Sequence, residues 1–190
     1  MTQNKKSQQQ RQTEALESIA LSLEQIANNT EPVITGIQEE TKTSTQELIE
    51  ITDDGTKTTS QLLKDIGCKY YSFWSDKELD EYFPKPDKPT SRKFKWVQEA
   101  DEEYANMSYN DLKEKGLIDK CISLRERIIY EKIWFEKNGT HLDINNWTLC
   151  AGSRNPIGYV PGVDWSSGYM HVSWFIPDAR GDDLRARAAV

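Results

Sequence analysis

The sharpest chemistry in this sequence would come from its three cysteines, Cys68, Cys121 and Cys150, and its two histidines, His141 and His171. A thiolate beside an imidazole is a competent nucleophile, and Cys150 with either histidine supplies the residue types. No local signature frames such a pair, and an isolated cysteine more often serves as a small buried hydrophobe. No catalytic residue is assigned, and the chain is not expected to be an enzyme. The two histidines stand far apart among scattered carboxylates, without the spacing of a zinc site. Asp182-Asp183 reads as a solvated turn. Neither a metal nor any other cofactor is expected.

Recognition chemistry is better supplied. Between Tyr159 and Asp178, tyrosine, tryptophan and phenylalanine are interleaved with serine, glycine and aspartate. Aromatic rings give large contact area at low entropic cost, and the small polar residues give adaptable hydrogen bonds, a mixture typical of antibody paratopes. The candidate ligand-binding residues are Tyr159, Asp164, Ser166, Ser167, Tyr169, His171, Ser173, Phe175 and Asp178. Read as a strand, Tyr169 to Phe175 places Tyr169, His171, Ser173 and Phe175 on one face and turns Met170, Val172 and Trp174 inward. Trp165 and Trp174 are expected in the core.

These residues need a scaffold, and composition shows where it lies. All 6 Trp, 8 Tyr and 5 Phe of the 190 residues fall at or beyond Tyr70. The chain therefore reads as two parts, an aromatic-free segment over 1–66 and a domain over 67–190. A net charge of -7 argues against binding nucleic acid, which is driven by phosphate neutralisation. The opening MTQNKKSQQQRQ has no apolar stretch, so neither a signal peptide nor membrane insertion is expected.

Over the first part, Leu16, Ile19, Leu23, Ile26, Thr30, Val33 and Ile37 recur at steps of three and four, the narrow seam of a coiled coil. The register resumes one residue late at Thr41, Ser44, Leu48, Ile51, Gly55, Thr58 and Leu62, a stutter beside Pro32 and Gly36. The expectation is a helical stalk that makes a homo-oligomer through residues 16–66, with the Ile/Leu mixture at the seam favouring a trimer.

In the second part, Lys69 to Trp74 reads as a strand and Pro84 to Pro89 as a connector that forbids regular structure. Ser108 to Lys115 reads as a short helix stopped by Gly116. Ser123 to Phe135 reads as the main helix, with Ser123 and Glu126 at capping-box spacing, Leu124 and Ile128 on an apolar face, and Asn138-Gly139 as the stop. Short segments follow at Trp147–Cys150, Gly158–Val160, Tyr169–Phe175 and Leu184–Val190. Helices followed by a small set of antiparallel strands imply an α+β fold.

Trp147, Thr148, Gly152, Ser153 and Arg154, then Val163 and Trp165, then Arg187, Ala188 and Val190, follow a pattern of helix, W-T-x-x-x-G-S-R, V-x-W strand and terminal R-x-A-V. In this the chain resembles the C-type-lectin-fold variable proteins of diversity-generating retroelements, and related phage receptor-binding domains of the formylglycine-generating-enzyme-like superfamily. The likeness covers residues 122–190. It implies a C-type-lectin-like domain behind the stalk, with Tyr70–Trp74 pairing with Leu184–Val190. It also implies a receptor-binding or adhesion protein of the tail-fibre or tail-tip type, made in the host cytoplasm and carried on the virion, that presents its variable face to a host-surface protein or glycan. The alternative is a structural virion protein, such as a head fibre, collar or tail adaptor, whose domain binds other virion proteins. Formylglycine-generating enzymes use cysteines near the chain end, and none follows Cys150 here. Ile176-Pro177-Asp178 and Asn145-Asn146-Trp147 only faintly echo the triplets with which calcium-dependent lectins hold their ion.

Overall fold

A computed structural model describes residues 47–190. In chain order the elements are β1 (Leu48–Asp53), α1 (Thr59–Lys64), β2 (Tyr70–Ser72), α2 (Asp76–Tyr82), β3 (Thr90–Lys95), α3 (Tyr109–Glu114), α4 (Leu124–Asn138), β4 (Trp147–Leu149), β5 (Val160–Ser166), β6 (Tyr169–Phe175) and β7 (Leu184–Ala186). The fold is α+β. A five-stranded sheet runs in the order β2-β6-β5-β4-β7, and β1 pairs with β3 as a separate antiparallel ribbon.

Each helix begins on a capping box: Thr58 with Gln61, Ser75 with Glu78, Ser108 with Asp111 and Ser123 with Glu126. The side-chain oxygen accepts one orphan amide, and the residue three positions on returns the bond to the cap's own N–H. α3 stops at Gly116 and α4 at Gly139, with φ of +66° and +67°, the left-handed geometry that glycine adopts without a Cβ penalty. No regular element occupies Pro84 to Pro89.

One sheet face packs against α4. Val163, Met170 and Val172 meet Leu124, Ile128, Tyr130 and Trp134 there, joined by Ile51, Leu63 and Leu79. The opposite face is covered at its β4–β7 end by Tyr109 and Leu112 of α3, over Leu149, Val160, Leu184 and Ala186.

The structure corrects the expected boundary at residue 66. Leu48–Asp53 is a strand whose Ile51 and Asp53 are buried, and α1 packs Leu63 into the core, so the folded domain reaches back at least to Leu48. Ile49, Ile51 and Asp53 alternate inward, a period of two that the three-and-four spacing of Leu48 and Ile51 had masked. The coiled-coil reading over residues 16–46 lies outside the described residues.

The expected closure of Tyr70–Trp74 onto Leu184–Val190 is also corrected. β2 runs parallel to β6, with Tyr71 beside His171, and β7 runs parallel to β4 at the far edge of the sheet. Two of the pairings are therefore parallel, against the expected antiparallel set. Beyond β7 the chain is tied elsewhere: Arg187 O accepts from Ile122 N, Ala189 N donates to Lys120 O, and Val190 N donates to Lys93 O. Alternation along Leu184, Ala186 and Ala188 does mark buried positions, but a period fixes a face and not a partner.

Candidate functional site

The β5–β6 hairpin turns at Ser167-Gly168, with φ of +52° and +81°, the paired positive values that suit the twist of a two-residue hairpin loop. That turn sets the register, with Ser166 opposite Tyr169 and Asp164 opposite His171. Opposed residues share a face, so these four lie together, away from buried Val163, Met170 and Val172. β2 adds Tyr71 alongside His171. The result is a sheet-face patch at the β2 end, where α3 does not reach.

Tyr71 is 58% exposed and Tyr169 is 41% exposed. Their rings flank His171 with centroids at 6.2 and 6.4 Å. Lys69 Nζ lies 5.7 Å from the Tyr169 ring centroid, within cation–π range. Phe73, also exposed, stands edge-on to Trp174 at 5.8 Å. Beneath the rings, His171 Nδ1 is 3.1 Å from Asp164 Oδ1 and 3.0 Å from Ser166 Oγ. Burial pushes the Asp164 carboxyl above the usual carboxylate range, and the bonds from Ser166 and His171 only partly pull it back.

The expected site residues divide. Asp164, Ser166, Ser167, Tyr169 and His171 come together, with Ser173 half-buried further along the same face. Phe175 shares that face but belongs to the scaffold. Its ring lies over Gly162, where a Cβ would collide with it, and meets Trp147 edge-on at 5.5 Å. Tyr159 stacks on Trp174 at 4.4 Å, and Asp178 accepts a hydrogen bond from Asn110 Nδ2 at 2.6 Å. Trp165 and Trp174 are half-buried at the core's edge. The sequence reading passed over Lys69, Tyr71 and Phe73. The signal for Tyr71 was the strand's period of two, which turns it outward once β2 is placed beside β6. Phe73 lies past the end of β2 and leans on Trp74 and Trp174.

The arrangement is unsuited to nucleophile relay. A hydroxyl activated by a histidine needs one ring nitrogen while the carboxylate holds the other, and here Ser166 and Asp164 share Nδ1. Burial raises the Cys68 and Cys121 thiols to about 11 and pushes Cys150 higher still, which suppresses the thiolate. Cys150 Sγ is directed at Thr148 O, 3.8 Å away.

A cleft of about 540 Å³ lies at the start of α4. Two of its three arginines, Arg125 and Arg92, are already committed to carboxylates. Arg125 donates to both oxygens of Asp53 at 2.6 and 2.8 Å, and Arg92 donates to both oxygens of Glu126 at 2.7 and 2.5 Å. The residues behind the sequence resemblance are structural as well. Ser153 Oγ accepts from the first amide of α4, Gly152 N donates to Ile122 O, and Arg154 lies over the Tyr109 ring.

Among the described residues, no cluster of histidine, cysteine and carboxylate side chains could hold a metal ion, and no helix is long and apolar enough to cross a membrane. No family model, curated protein or solved structure matches the chain.

Proposed function

We propose that this chain is a receptor-binding or adhesion subunit of a phage-like particle, and that the patch formed by Tyr71, Tyr169 and His171 over Asp164 and Ser166 is the surface it presents to the host. The observation that carries the reading is exposure without a packing role. Tyr71 and Tyr169 keep about half of their surface in water on a sheet face that is covered elsewhere. Large exposed rings rimmed by polar groups mark interaction sites. The sequence likeness to C-type-lectin-fold variable proteins supplies the virion setting and the lectin-like reading of the fold. The proposed homo-oligomerisation, a trimer, falls to the residues before Leu48, because β1 and α1 belong to the folded domain. Several heads engaging one surface would turn weak single-site binding into firm attachment.

Replacing Tyr71, Tyr169 and His171 together by alanine tests this. The expected result is particles that assemble normally but no longer adsorb to cells. Particles that fail to incorporate the protein would instead indicate a surface used for virion assembly. Sedimentation equilibrium of the full chain tests the oligomer, and a monomer at all concentrations would refute it.

A further inference from the structure

The valences left open on the patch point to a specific ligand chemistry, and this inference rests on the attachment reading above. Asp164 is 8% exposed, and its Oδ1 faces His171 Nδ1 at 3.1 Å. An ionised carboxylate only accepts, so the tautomer that fits this contact carries its proton on Nδ1 and leaves a lone pair on Nε2. Nε2 makes no hydrogen bond among the described residues. An ionised carboxylate has about four acceptor positions, and the His171 ring fills one of them. The unused capacity on Asp164 and on His171 Nε2 is therefore acceptor capacity, which donors on a ligand would fill.

Charge narrows the ligand further. Lys69 already places an ammonium beside the Tyr169 ring, so a cationic ligand would meet like charge there, while an anionic one would meet Asp164. The complement is a neutral, donor-rich group with a flat apolar face for the phenol rings.

We infer that the patch binds a neutral sugar ring of a host-surface glycan. One face of the pyranose lies on Tyr71 and Tyr169, and adjacent hydroxyls donate to Asp164 and to His171 Nε2. The binding uses no metal ion.

The test uses the full-length protein on a printed array of hexose and N-acetylhexosamine oligosaccharides, and on intact host cells after either periodate, which cleaves vicinal diols, or protease. The expected result is array binding that survives a chelator, with cell binding lost after periodate and kept after protease. Tyr71→Ala and Asp164→Asn are each expected to weaken binding at least about tenfold, with far-UV circular dichroism unchanged. Cell binding that survives periodate and is lost after protease would overturn the sugar assignment while leaving attachment standing, with a protein as receptor. A protein that binds neither array nor cells overturns both.

Discussion

Two sets of polar residues flank the same sheet, and they differ in how completely they satisfy themselves. On the α4 side, Arg127, Glu131, Asp143 and Arg187 are buried together. Arg127 donates to Asp143 at 2.8 Å and to Glu131 at 2.9 Å, and Arg187 donates to Asp143 at 2.6 Å and to the Val97 and Gln98 carbonyls. Burial opposes the charge on Arg127, but Asp143 and Glu131 outweigh it and hold the guanidinium's pKa above its ordinary value. On the patch side, Asp164 and His171 have one another and Ser166, and little else. The buried cluster spends nearly all of its hydrogen-bonding capacity on itself, with only Arg127 Nη2 left without a partner among the described residues, and it holds the fold together. The patch, with more capacity left over and open to solvent, is completed by a ligand or water.

The largest effect that would break this contrast is at Asp143. Asp143→Ala leaves two buried guanidinium groups without their shared acceptor, and breaking buried pairs in this way costs about 3–5 kcal/mol. Urea denaturation is expected to show that loss or outright failure to fold. A loss below about 1 kcal/mol would mean that the network is solvated and not structural.

Legibility in the sequence follows the same divide. Two of the four helices announced themselves through local chemistry, while α2, which carries the same Ser75–Glu78 capping box, gave no reading and α1 was read into the stalk. Ser123 with Glu126 and Gly139 frame α4, and Ser108 and Gly116 frame α3, because caps and stops are built from residues adjacent in the chain. Arg127 and Glu131 gave no such sign. They occupy the buried side of α4, where an apolar stripe would be expected, and only the distant Asp143 and Arg187 make that burial tolerable. The inward face of β6 was readable from period two, as was the candidacy of Tyr169 and His171. That Tyr71 would lie beside His171 was not, because the parallel pairing of β2 with β6 joins residues far apart in sequence. Phe175 was misjudged for the same reason. Gly162 directly opposite Ser173 opens room for its ring, and that neighbour is visible only across the hairpin.

A smaller effect sharpens that last point. Gly162→Ala puts a Cβ into the Phe175 ring, and overpacking of this kind costs roughly 1–3 kcal/mol. A lower denaturation midpoint is expected, with cell binding retained when measured well below it. Abolished binding in a fully folded variant would return Phe175 to the contact surface.

Smaller still is Asp164→Asn. Because burial raises the folded carboxyl's pKa, protonation favours the native state. The stability this group contributes is complete below its ordinary pKa and is lost as pH rises through the raised folded value. The asparagine variant, which never ionises, is therefore expected to be no less stable than wild type at neutral pH, and to have a flatter stability profile across that acidic window. Marked destabilisation at neutral pH would place Asp164 with Asp143 as a structural charge.

The most direct test of the central claim compares stability and binding in one variant, Tyr71→Ala/Tyr169→Ala in the full-length chain. If these rings are held out for a ligand, the midpoint should correspond to wild-type stability within about 0.5 kcal/mol for each substitution, while adsorption to host cells falls by more than about tenfold. A variant that unfolds, or one that stays folded and adsorbs like wild type, would contradict the account.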